Sequence, residues 1–70
     1  MKRYAVVIEK TETGYGASVP DLPGCITSGE TVEETFAMIK EAIEMHLEDM
    51  VSTGQPIPEP TTIVAEVQAA

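Results

Sequence analysis

Tyr15-Gly16-Ala17-Ser18-Val19-Pro20-Asp21-Leu22-Pro23-Gly24-Cys25-Ile26-Thr27-Ser28 reads as two short strands and the loop that joins them. Tyr15, Ala17 and Val19 alternate with Gly16 and Ser18, the two-residue period of a strand with one covered face. Pro20 to Gly24 interrupts that period with two prolines. Pro23-Gly24 suits the centre of a type II turn, because proline fixes φ and glycine accepts a positive φ. Cys25 to Ser28 is then the returning strand, closed by Gly29-Glu30.

Upstream, residues 3–9 are rich in β-formers. Tyr4, Val6 and Ile8 share one face and Ala5 and Val7 the other, as in a strand apolar on both sides. Lys10 to Gly14 is polar and ends in glycine, a hairpin connection. Downstream, Thr31-Val32-Glu33-Glu34 is a capping box: the Thr31 hydroxyl can accept from the Glu34 amide while the Glu34 carboxylate reaches back. Val32, Phe36, Ile39, Ile43, Leu47 and Met50 follow at helical spacing, which predicts an amphipathic helix to about Thr53, with Gly54 as its terminator. Glu33, Lys40, Glu41, Glu44 and Glu48 fall on the other side. Gln55-Pro56-Ile57-Pro58-Glu59-Pro60 favours extended polyproline II. Thr61 to Val67 reads as a last strand, with Ile63, Ala65 and Val67 on one face.

The resulting order is β-β-β-α-β. The expected fold is a two-layer α+β domain, one helix on a four-stranded mixed sheet, the last strand parallel to the first across a right-handed crossover. One helix covers one sheet face. The other face is left bare and partly apolar, which implies a partner, either another copy or a different protein.

Composition narrows the function. The chain has 70 residues, enough for one domain over 1–70 and small enough that oligomerisation would help it. No apolar run approaches a membrane helix, and Glu9 and Lys10 cut short the apolar stretch after Lys2 and Arg3, so no signal peptide and no membrane association are expected and a cytoplasmic location is. Cys25 is the only cysteine and His46 the only histidine, which leaves no internal disulfide and no nucleophilic triad to nominate; no metal site or cofactor is expected. Four basic residues stand against twelve acidic ones for a net charge of −8, and beyond residue 10 Lys40 alone faces eleven acids. Phosphate backbones need the opposite sign, so direct nucleic-acid binding is not expected, whereas a basic protein partner is complementary.

The run Tyr15 to Cys25 resembles the signature of HicB-like antitoxins. So do Thr27-Ser28-Gly29-Glu30-Thr31 with Glu34, Ile39-Lys40-Glu41-Ala42-Ile43, and Gly54-Gln55-Pro56-Ile57-Pro58-Glu59-Pro60. The likeness covers roughly residues 4 to 64. It implies a truncated ribonuclease-H-like fold and the antitoxin of a type II toxin–antitoxin pair. Such an antitoxin binds and masks a small basic toxin, HicA, which resembles double-stranded-RNA-binding domains and cleaves mRNA. It also implies a homodimer or homotetramer. Thr35 departs from the alanine usual after the Glu pair, a change on the helix face. No C-terminal DNA-binding domain of the kind many HicB proteins carry is expected here. The alternative is a stand-alone homo-oligomeric protein-binding module of the same fold with no toxin partner.

The expected partner-binding residues are Tyr15, the loop Asp21, Leu22, Pro23 and Gly24, and the acidic helix face Glu41, Glu44 and Glu48, the last from charge alone. Asp21 is expected to organise its own loop through an Asx-type hydrogen bond. Leu22 either folds into the core or anchors an interface. Met38 and Met45, seven apart and so in line along the helix, are the expected oligomer interface. Cys25 reads as a buried structural thiol, and His46 as a surface or interface side chain. A metal-dependent nuclease would need Glu9, Asp21 and a helix acid to converge around two cations, and nothing in the pattern requires them to. No catalytic role is expected.

Overall fold

Three hairpin-linked strands and one long helix make up the computed structural model, which describes residues 2–70. The strands are β1 (Val7–Lys10), β2 (Tyr15–Ser18) and β3 (Ile26–Gly29), followed by α1 (Val32–Ser52). The sheet is antiparallel throughout, in the order β1-β2-β3. The first turn is closed by the Thr11 amide donating to the Gly14 carbonyl at 2.8 Å, and by the Gly14 amide donating to the Thr11 hydroxyl at 3.1 Å.

Register sorts the side chains. Ile8, Ala17 and Thr27 form one transverse row and Lys10, Tyr15 and Gly29 the next, both on the helix side. Val7, Ser18 and Ile26, and then Glu9, Gly16 and Ser28, point the other way. The buried core is Ala17, Val19, Leu22, Cys25 and Ile39, with Tyr4, Val6, Ile8, Ala42, Ile43 and Leu47 packed around it. The second face is open, as expected, with Val7 and Ile26 exposed on it.

The expected four-stranded mixed sheet is corrected to three antiparallel strands, because no strand forms beyond the helix among the described residues. Two causes act together. Pro56, Pro58 and Pro60 carry no amide hydrogen, so one edge of the stretch that leads into the expected strand has no donors and cannot ladder with a neighbour. It crosses the N-terminal segment on side-chain contacts instead: the Tyr4 hydroxyl donates to the Pro58 carbonyl at 2.6 Å, and Lys2 pairs with Glu59. β1 is also shorter than the expected 3–9. Its ladder starts at Val7 opposite Ser18, and the next two residues of that neighbour are Val19, at the loop's closure, and Pro20. Arg3 to Val6 is therefore not laddered to β2, and among the described residues no parallel partner pairs with it on the other side.

The helix starts and stops where the sequence puts it. Thr31 is the N-cap, its hydroxyl accepting from the Glu34 amide at 3.0 Å, and Gly54 follows the Thr53 C-cap at φ 75°. Over the first turn the buried face is rotated from the expected one, while Ile39, Ile43, Leu47 and Met50 are buried or half-buried as expected. Phe36 is 52% exposed and Val32 is also exposed, while Thr35 is fully buried. Gly29 explains the rotation. A Cβ there would lie 2.6 Å from Thr35 Oγ1, so the missing side chain lets the first helical turn settle directly on β3. Thr35 satisfies its hydroxyl by donating to the Thr31 carbonyl at 2.7 Å, which makes burial of a polar group tolerable.

Candidate interaction surfaces

The loop after β2 is a pair of interlocked turns. The Leu22 amide donates to the Val19 carbonyl at 3.0 Å and the Cys25 amide to the Leu22 carbonyl at 3.0 Å, while the Val19 amide closes the whole on the Cys25 carbonyl at 3.2 Å. Gly24 takes φ 86°, as the Pro23-Gly24 turn requires. Leu22 is 0% exposed. Of its two expected fates it takes the core, so it shapes the loop and presents no surface to a partner. Pro23 and Gly24 are the exposed tip.

Asp21 does not organise its own loop. Its carboxylate holds the chain beyond the prolines: Oδ1 accepts from the Thr61 and Thr62 hydroxyls at 3.0 and 3.1 Å, and Oδ2 from the Thr62 amide at 3.1 Å. The Thr62 amide is the main influence that holds the Asp21 carboxyl below the ordinary carboxylate range; desolvation opposes it, and the Thr61 and Thr62 hydroxyls add to the lowering. Nothing in the sequence pairs an aspartate with two threonines forty residues on, and this latch was not legible there.

Tyr15 begins β2, at the end of that strand away from the loop, so it and Asp21–Gly24 are not one surface. Its ring instead carries the Lys10 ammonium 5.1 Å from the centroid, a cation–π contact across the hairpin. Glu41, Glu44 and Glu48 are exposed and follow at three- and four-residue spacing, an acidic ridge along the outer side of the helix whose first member, Glu41, also borders the groove against β3. The last turn of α1 carries no basic residue to offset it.

Met38 and Met45 are also exposed, and they border a shallow groove between α1 and the outer edge of β3. One part, of about 360 Å³, is lined by Thr27, Met38, Glu41, Ala42 and Met45. The adjoining part, of about 310 Å³, is lined by Gly24, Cys25, Ile26, Ala42, Met45 and His46. The groove thus joins Gly24 of the loop tip to both methionines and to Glu41. Cys25 is buried at its floor, and desolvation pushes its thiol pKa up, the opposite of a reactive cysteine. Among the described residues no three His, Cys, Asp or Glu side chains gather closely enough to hold a metal ion. Among the described residues no helix is long and apolar enough to cross a membrane.

A family model described as the HicB-like antitoxin of bacterial toxin–antitoxin systems matches residues 4–70. The chain belongs to the HicB-like antitoxin family. A 14.9 kDa uncharacterized protein of Haemophilus phage HP1 is 42% identical over 60 residues, covering 86% of this chain and 45% of its own. Antitoxin HicB 2 of Photorhabdus laumondii is 37% identical over 60 residues, again 86% of this chain and 43% of its own. The HicB-like chain therefore spans less than half the length of these two relatives. A solved HicA3 and HicB3 toxin–antitoxin complex contains a chain that matches with a TM-score of 0.73 and 32% identity, over 86% of this chain and 70% of that one.

Proposed function

We propose that this HicB-like chain is a cytoplasmic antitoxin that binds and masks a HicA-like mRNA interferase, with no chemistry of its own. The observation that carries the reading is the likeness to a chain from a HicA3–HicB3 complex, at a level of identity where partner type is a reasonable inference. The charge of the chain supports it. A net charge of −8, with Glu41, Glu44 and Glu48 in one exposed ridge, suits a basic partner whose RNA-binding surface is to be occupied. Complementary charge would speed encounter, and contacts at the loop tip, Pro23 and Gly24, would add shape. Masking requires only that this surface lie where phosphates would otherwise bind. We also read the chain as self-associating along the Met38–Met45 line, because apolar side chains in register beside an unpaired strand edge are a poor surface for a lone domain.

The test is a growth rescue. A HicA-like protein, taken from the reading frame next to this chain if one is encoded there, is expressed alone and together with it. Arrest of growth by that protein and recovery with this chain is the expected outcome. A HicA-like protein that is harmless, or that still arrests growth when this chain is co-expressed, overturns the reading and leaves a homo-oligomeric binding module.

A further inference from the structure

The segment Thr61-Thr62-Ile63-Val64-Ala65-Glu66-Val67 has the composition and alternation of a strand but pairs with none. Ile63, Val64 and Val67 are 87%, 75% and 90% exposed. The segment is nevertheless directed. Lys2, Tyr4 and Asp21 hold the stretch before it, so it leaves the domain at a fixed place. β-branched side chains bared on both sides, with free amides between them, form the sort of edge that recruits another chain.

The same molecule carries a matching vacancy. β3 is an edge strand with no neighbour on its outer side, and the groove against Met38, Ala42 and Met45 runs beside it. A strand laid along β3 would send alternate side chains into that groove and the others out beside Ile26 on the open face. Ile63, Ala65 and Val67 fit the first set. Val64 and Glu66 fit the second, which keeps Glu66 off the helix side where Glu41 stands. Within one chain the match is not made: the stretch before the segment is held by Lys2 and Tyr4 ahead of β1 and by Asp21 in the loop between β2 and β3, and, among the described residues, 61–67 form no ladder with β3.

We propose that residues 61–67 of one copy dock along the outer edge of β3 of a second copy, with Ile63, Ala65 and Val67 over Ala42, Met38 and Met45. The occupant is a second copy because both halves of the match, the unpaired strand and the unpaired edge with its apolar groove, are exposed on this one sequence. The proposal rests on the self-association reading and is independent of the toxin.

The experiment weighs the 70-residue chain by light scattering beside two variants of the same length, Ile63→Lys/Val67→Lys and Met45→Lys. All three side chains are exposed in the single chain, so circular dichroism and melting should not change. Wild type is expected at no less than twice 7.5 kDa and both variants at half its mass or lower. A second measurement locates the contact: a Thr27→Cys copy mixed with an Ala65→Cys copy should oxidise to a linked pair of chains. Wild type at the mass of one chain overturns both this proposal and the self-association reading. An assembled wild type whose mass neither variant lowers overturns the tail docking and leaves self-association standing. Tail-dependent assembly without the crosslink overturns the placement on β3.

Discussion

Residues 7–53 and residues 55–70 are held by different kinds of bond. The first region is held by backbone and cap hydrogen bonds: two strand ladders, two interlocked turns, and a helix with Thr31 at one end and Thr53 at the other. In the second, the Gln55 amide on the Met50 carbonyl closes the helix end, and beyond it the fixing contacts to the rest of the domain use side chains: Tyr4 on Pro58, Lys2 on Glu59, Asp21 on Thr61 and Thr62. Ladders and buried packing are cooperative, whereas a few exposed side-chain contacts open one at a time at little cost. A region built the second way is placed but not locked, which suits a segment that finds its main partner elsewhere.

Substitutions can break this contrast. The largest effect is expected at Leu22→Ala, which empties the centre of the first region. Its side chain is fully buried, so the loss is about 2–5 kcal/mol, a large part of the stability of so small a domain. A shift in the urea midpoint followed by circular dichroism measures it. Next comes Gly29→Ala, whose Cβ would press on Thr35 Oγ1 and, at 3.1 Å, on the Thr35 amide nitrogen. A cost of about 1–3 kcal/mol is expected. Adding Thr35→Ala removes the first clash, so the double variant should lose less than the two single variants together. Thr31→Ala removes the cap from the Glu34 amide and should cost about 1 kcal/mol in the same assay.

The smallest effect on the global midpoint is expected where the second region is cut. Asp21→Ala should leave the midpoint nearly unchanged and release residues 61–70, read as narrower lines and faster amide exchange at Thr62 in nuclear magnetic resonance spectra. Acid should do the same to the wild type. Because the hydrogen bonds lower the Asp21 pKa, the latch is at full strength above the pKa of a free carboxyl, about 4, and is lost as pH falls through the lower, latched value. The Thr62 amide shift should titrate in that window, and in Asp21→Ala it should not.

The same division decides what could be read without coordinates. The β3-turning Pro23-Gly24, the Thr31 cap and the Gly54 stop are local chemistry, and each stands where the residues put it. Two things were not local. The burial of Thr35 in place of Phe36 follows from a glycine six residues back on another element, and helical periodicity alone favours the larger apolar side chain. The tail has strand composition, but whether a strand forms depends on finding an edge. The prolines and Asp21 send it away from its own. Among the surface residues, charge marked the acidic ridge and spacing marked Met38 and Met45. The separation of Tyr15 from the loop, and the withdrawal of Leu22 into the core, needed the register.

The central claim is that an acidic, non-enzymatic surface neutralises a basic ribonuclease by occupying it. The direct measurement is RNA cleavage by a purified HicA-like toxin, titrated with this chain and with its Glu41→Lys/Glu44→Lys/Glu48→Lys variant. The account predicts that cleavage stops at a fixed ratio of chains with wild type. It also predicts that the variant, folded by circular dichroism, needs at least tenfold more protein, with the difference shrinking as salt is raised. Inhibition unchanged by reversing the ridge would contradict the acidic helix face as the masking surface, and cleavage unaffected by wild type at any ratio would contradict the antitoxin reading itself.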